Sequence, residues 1–217
     1  MPQIFHPSMN TISRVTIFGA VFILSGIGWL LYMVVRSPYV TQAGVIKQQP
    51  VPFSHKHHVS EAGIDCRYCH TGVESSSFAG IPPTQTCMNC HSELWAQSPM
   101  LEPVRVSYRT NKPLIWNPVH HLPDFVYFDH SIHVNKGVSC AACHGDVGQM
   151  PLTYRASTLH MEWCLECHRR PGEHVGPRAA VVGSVDPVAA VGLKDSQTDW
   201  LAAYHVQSKT NCSICHR

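Results

Sequence analysis

Five copies of one pattern, Cys-x-x-Cys-His, run through the chain and set the terms on which it can fold. They are Cys66 and Cys69 with His70, Cys87 and Cys90 with His91, Cys140 and Cys143 with His144, Cys164 and Cys167 with His168, and Cys212 and Cys215 with His216. Together they use all ten cysteines of the 217-residue sequence. None is left for a disulfide, a thiolate nucleophile or an iron–sulfur cluster, which excludes a disulfide-stapled secreted fold.

The spacing has a direct chemical reading. On a helical turn, residues i, i+3 and i+4 share one face. Two thiols so placed can add to the two vinyl groups of one haem, and the adjoining imidazole then points at the iron. Zinc also takes paired cysteines, but five motifs each with histidine directly after the second cysteine do not match zinc ligand spacing. A redox dithiol would need only one motif. The reading is therefore five c-type haems, with the ten cysteines as covalent anchors and His70, His91, His144, His168 and His216 as proximal ligands. Covalent attachment of this kind takes place outside the cytoplasm, which places everything after about residue 37 on the extracytoplasmic side.

Five haems leave roughly 36 residues of the extramembrane chain for each, too few for a separate core around every cofactor. The haems themselves must then supply the core. Sixteen prolines and fourteen glycines fit short helices joined by fixed turns. The expected fold class is a mostly irregular, short-α multihaem cytochrome c with one N-terminal transmembrane helix.

That helix is read from Val15–Val35, twenty-one residues without a charge between Arg14 and Arg36. About 20 residues span the hydrocarbon layer of a bilayer. The run is longer than the apolar region of a cleaved signal, and no small-x-small cleavage site follows it, so the expectation is an uncleaved anchor over about 14–36. Gly19, Ser25, Gly26 and Gly28 would let a neighbouring helix approach. The formal charge of +2 and the lack of a basic run or basic helix face give no case for nucleic acid.

Eleven histidines lie outside the motifs. Phe53-Ser54-His55-Lys56-His57-His58-Val59 precedes the first motif and Phe128-Asp129-His130-Ser131-Ile132-His133-Val134 precedes the third. Both read Phe-x-His-x-x-His-Val, with the second histidine eight residues before Cys66 in one copy and seven before Cys140 in the other. The repeat divides the chain into a membrane anchor (1–37), a dihaem region (38–110) and a trihaem region (111–217).

Phe-x-His-x-x-His ahead of Cys-x-x-Cys-His resembles the small multihaem cytochromes of the c3 and c7 type. The resemblance implies a ligand set. The first histidine of each repeat serves the haem that follows and the second serves the next one along, pairing His55 with His70, His58 with His91, His130 with His144 and His133 with His168. His160, four residues before Cys164, would pair with His216. His57 reads as a surface or propionate contact, and His120, His121 and His205 stand as possible replacements for an assigned distal ligand.

Longer stretches resemble one particular family. FSHKHHVSEAGIDCRYCHTGVESSSFAGIPPTQTCMNCH, IWNPVHHLPDFVYFDHSIHVNKGVSCAACHGDVGQM and HMEWCLECHRRP are similar to the pentahaem cytochrome subunit of alternative complex III, a quinol-oxidising membrane assembly. The resemblance implies an electron-transfer subunit rather than a catalyst in its own right. Its implied partners are an iron–sulfur subunit, polytopic quinol-binding membrane subunits and a monohaem cytochrome. Two other readings are weighed against it. A self-contained anchored quinol dehydrogenase usually carries four haems. A multihaem reductase needs an open iron position. The segment 175–200 is the poorest match and reads either as a loop packed against a neighbour or as a variable surface loop.

Overall fold

A computed structural model describes residues 4–182 and 199–216 and divides the chain into two compact units, one up to Gln42 and one from Ala43 onward. Most of the 175–200 segment, residues 183–198, lies outside the described residues.

The first unit is a helix, α1 (Ser8–Arg36), followed by a short α2 (Pro38–Thr41). It starts about two turns before the uncharged run. Ser13 and Thr16 hydrogen-bond back to the carbonyls of Met9 (2.8 Å) and Ile12 (2.9 Å), so their hydroxyls are satisfied on the helix itself. At its other end both the amide and the hydroxyl of Ser37 donate to the Val34 carbonyl, and Pro38 stops the helix. None of its residues is buried. It is long and apolar enough to cross a membrane. Arg36 folds its guanidinium over the Tyr32 ring, 4.7 Å from the centroid, at the end of the span.

The second unit is built from short helices: α3 (Cys66–Cys69), α4 (Thr84–His91), α5 (Glu102–Thr110), α6 (His130–Asn135), α7 (Cys140–His144), α8 (Met161–Arg169), α9 (Trp200–Ala203) and α10 (Cys212–Cys215). No strand occurs among the described residues, only isolated bridges such as Val138 with Val175. Several of the helices have a local reason to begin. The Asp65 carboxylate accepts the Arg67 amide at 2.8 Å and starts α3. The Ser139 hydroxyl accepts the Ala142 amide at 3.1 Å and starts α7. Asp199 does the same for α9.

Two small apolar clusters hold this unit. Val51, Leu101 and Val104 pack with Leu114, Trp116, Met88 and Cys87. Val73, Val134 and Val181 pack with Ala79, Val182 and Cys140. No large side chain among the described residues is fully buried, and Tyr68, Trp95, Phe125 and Tyr127 stay largely exposed. A unit of this length ordinarily buries about two thirds of its unfolded surface. The protein side chains alone do not make such a core.

The two copies of the Phe-x-His-x-x-His repeat take different helical forms. In the second, α6 is an α-helix capped by Asp129, whose carboxylate accepts the amides of Ser131 and Ile132. In the first, Lys56–Glu61 is a π-helix, closed by the Ala62 amide on the His57 carbonyl. The difference accounts for the one extra residue. Both copies end in a glycine of positive φ, Gly63 (70°) and Gly137 (83°), three residues before the first cysteine. Both then return an amide to the carbonyl of the second histidine, Ile64 to His58 (2.9 Å) and Val138 to His133 (3.0 Å). The π turn absorbs the added residue and leaves the histidines and the attachment turn in the same relation. Gly137 has no substitute, because a Cβ there would stand 2.3 Å from the Gly176 carbonyl oxygen.

Ties also cross the residue-110 boundary. Ser60 donates to the Gly148 carbonyl (2.6 Å), and Asn135 donates to that of Glu74 (2.8 Å).

Candidate functional site

The two repeats position their imidazoles in the same way. The Phe53 ring stacks on His58 (4.4 Å between centroids, planes 21° apart) and meets His55 edge-on (4.9 Å, 85°). Phe128 stacks on His133 (4.6 Å, 26°) and meets His130 edge-on (4.7 Å, 88°). One phenyl ring thus fixes two imidazoles roughly at right angles to each other, at about 0.5–1.5 kcal/mol per aromatic contact. The second histidine of each repeat then ties its Nδ1 to the carbonyl four residues back, His58 to Ser54 (2.8 Å) and His133 to Asp129 (2.7 Å). The first histidine reaches across to the other half, His55 to the Thr153 hydroxyl (2.9 Å) and His130 to the Ser77 carbonyl (2.8 Å).

The motif histidines are held at Nδ1 as well. His70 donates to the carbonyl of Gly80 (2.7 Å), His91 to Leu94 (2.9 Å), His168 to Lys209 (2.8 Å) and His216 to Phe125 (3.2 Å). A carbonyl can only accept, so the proton sits on Nδ1 and Nε2 keeps its lone pair for a metal. Burial reinforces the neutral form. It is the main cause that depresses His144 to about 3 and His55 to about 4, with nearby histidines adding to it. It also lowers His133.

Three predicted pairs come together. His58 and His91 stand 6.2 Å apart between ring centroids, His130 and His144 6.4 Å, and His133 and His168 6.1 Å. Two imidazoles on opposite sides of one metal ion, each bound at about 2 Å, place their centroids about 6 Å apart. His70 is the neighbour whose charge most depresses His55, after burial, though the two rings make no ring contact within the described residues. His160 occupies the N-cap position of α8, and no ring contact joins it to His216. The face of His216 is instead covered by Phe125, at 5.8 Å. His57 is exposed and pairs with Glu61. His120, outside the predicted ligand set, lies against His144 with centroids 4.3 Å apart.

The five attachment turns form a connected series. The Cys69 and Cys87 sulfurs are close enough to interact, joining the first and second motifs. The Cys66 and Cys140 sulfurs also lie close enough to interact, joining the first and third. The short helix α6 carries His130 against the third motif and His133 against the fourth. Cys164 and Cys215 interact, joining the fourth and fifth. In space the order is second, first, third, fourth, fifth.

Among the described residues no three histidine, cysteine or acidic side chains converge as donors to a single ion. A structural zinc site needs four. Two opposed imidazoles beside a pair of thiols suit a metal whose remaining four positions are filled by a macrocycle. The exposed aromatic side chains and the thin apolar clusters suit it too, since a porphyrin at each motif would add apolar bulk to the interior.

Comparison with known proteins agrees with this geometry. The description of cytochrome c7 and related cytochrome c matches residues 126–217. The multiheme cytochrome c subunit of menaquinone reductase from Nitratidesulfovibrio vulgaris is 34% identical over 151 residues, covering 60% of this chain and 71% of that one. The chain belongs to the multihaem, c7-related c-type cytochromes. Members of this family carry c-type haem and move electrons. What the sequence alone did not reveal in this cytochrome is the place of His120. Its only signal was adjacency to His121 ahead of the second repeat.

Proposed function

We propose that this cytochrome holds five c-type haems and is the electron-transfer subunit of a quinol-oxidising membrane complex of the alternative complex III type. Cys66 and Cys69, Cys87 and Cys90, Cys140 and Cys143, Cys164 and Cys167, and Cys212 and Cys215 form the thioethers. His70, His91, His144, His168 and His216 are the proximal ligands, and His55, His58, His130, His133 and His160 the distal ones. When bound, haem supplies reversible one-electron chemistry at iron. Backbone carbonyls that accept from Nδ1 fix the tautomer of His58, His70, His91, His130, His133, His168 and His216 and leave Nε2 of each free for iron.

The observation that carries the reading is the unbroken neighbour relation of the five attachment turns. An electron entering at one end can leave at the other without crossing a gap in the series. The dihaem and trihaem regions are taken as interlocked halves of one unit. Helix α1 is taken as an uncleaved anchor, with the haem unit on the extracytoplasmic side. The partners are taken to be an iron–sulfur subunit, polytopic quinol-binding subunits and a monohaem cytochrome, as the resemblance implies.

The relative from Nitratidesulfovibrio vulgaris supports a second reading for direction, because it belongs to a menaquinone reductase. The same series would then feed electrons towards a quinone. One experiment separates the two. The complex is extracted in mild detergent, its subunits identified, and its haems followed spectroscopically. Under the first reading a quinol reduces the haems rapidly. Under the second, pre-reduced haems are oxidised by added quinone. If the cytochrome alone, free of other subunits, oxidises a quinol at the same rate, both readings give way to a self-contained dehydrogenase.

A further inference from the structure

Four of the five motif histidines donate their Nδ1 proton to a backbone carbonyl. His144 differs. Its Nδ1 lies 3.3 Å from Nε2 of His120, with the rings edge to face. Each nitrogen of that contact can either donate or accept. The direction is fixed by what else His144 does. If its Nε2 faces a metal, its proton must sit on Nδ1, and His120 Nε2 must then be the acceptor.

His120 is set for that task. Its segment is pinned from three sides. Lys47 donates to the Pro118 carbonyl (2.8 Å) and Gln49 to the Asn117 carbonyl (2.8 Å). Arg155 reaches the carbonyls of Val119 (3.3 Å) and His121 (3.4 Å), on either side of His120. The bidentate reach of Arg155 holds the backbone on both sides of His120. The position is also central. The third motif's Cys140 lies close to Cys66 of the first, and its distal candidate His130 shares α6 with the histidine facing the fourth motif.

We propose that His120 is a positioning residue for the third haem: its Nε2 accepts the Nδ1 proton of His144, locks that ligand's tautomer and ring angle, and lowers the potential of the iron His144 holds. The assignment rests on the haem reading above. The physical basis is that an imidazole whose N–H is accepted by a base becomes a stronger electron donor and favours the ferric state. His120 touches neither the macrocycle nor the iron in this role.

The test uses the full membrane-extracted cytochrome with His120→Leu and His120→Gln. Haem content is measured by intact mass, spin state by electron paramagnetic resonance, and the midpoints by potentiometric titration. Both variants should keep every haem of the wild type, since no thioether involves residue 120. In His120→Leu one midpoint should rise, the others should stay, and all irons should remain low-spin. In His120→Gln the side-chain amide oxygen can accept the same proton, and that midpoint should return towards the wild-type value. A high-spin iron in His120→Leu would make His120 a ligand and overturn the proposal. Unchanged midpoints in His120→Leu, or a shift that Gln does not restore, would also overturn it. Absence of covalent haem in the wild type would instead defeat the underlying reading.

Discussion

The imidazoles of His130 and His144 face one another with centroids 6.4 Å apart and planes only 11° from parallel. The other opposed pairs are far from parallel, at 68° for His58 with His91 and 60° for His133 with His168. Ligand-plane angle shapes the electronic state of a bis-histidine iron, so the third site should be spectroscopically distinct from the second and fourth. His130→Ala should leave all haems attached and convert one iron to a high-spin form that binds carbon monoxide. The low-spin signal lost should be the one set apart by parallel ligand planes. Loss of a different signal would break the pairing of His130 with His144.

His160→Ala tests the fifth site. The expected result is one high-spin iron, with haem content unchanged. Because α8 begins at His160 without a side-chain cap, the substitution should change helix stability little. An unaltered spin state would show that the ligand opposite His216 comes from another residue.

Phe128→Ala should lower stability by about 2 kcal/mol, from lost apolar burial and two lost ring contacts. Chemical denaturation of the haem unit checks the size. Phe128→Leu should recover the burial but not the ring geometry. It should therefore broaden the low-spin signals of the irons held by His130 and His133 while restoring most of the stability.

Asp129 links α6 to pH. Its carboxyl titrates below its ordinary value of 3.8, first because the Ser131 hydroxyl hydrogen-bonds the ionised form, with the Ile132 and Ser131 amides adding to it. A depressed folded value means that the contribution is complete above the unfolded value and disappears as pH falls through the folded one. The haem spectra should thus hold steady down to about pH 4 and lose the third and fourth low-spin signals first below it. Asp129→Asn should remove that acid step while keeping a weaker cap.

Replacing residues 1–37 with a cleavable export signal should give a haem-loaded unit that is extracted without detergent and keeps the visible spectrum of the full chain. Retention on membranes washed with high salt would show that contacts outside α1 hold the cytochrome there.

Much of this architecture was legible in the sequence because its rules are local. Cys-x-x-Cys-His fixes an attachment turn within five residues, and Phe-x-His-x-x-His fixes two imidazoles on one short helix. What escaped was of two kinds. One was a local choice between nearly equal conformers: the repeats looked alike, yet one became an α-helix and the other a π-helix, because an extra residue before Cys66 had to be absorbed. The other depended on long-range closure. Thr153 bracing His55, Ser77 bracing His130 and His120 lying behind His144 join residues 24 to 98 positions apart. No spacing rule reaches that far. For His160 the sequence offered a position, and the fold surrounds His216 with Phe125.

The closeness of the Cys66 and Cys140 sulfurs also bears on how the protein is made. With five haems attached as proposed, each sulfur is bonded to its own macrocycle. On the extracytoplasmic side proposed for this unit, a nascent chain that closed up too soon would bring two free thiols from opposite halves together, where they would cross-link. Such a bridge would block two attachment sites at once. On that reading, the cofactors are expected to be attached to an extended polypeptide before the halves close. A cell lacking reductant for these thiols should accumulate a chain bridged between residues 66 and 140 and short of haem.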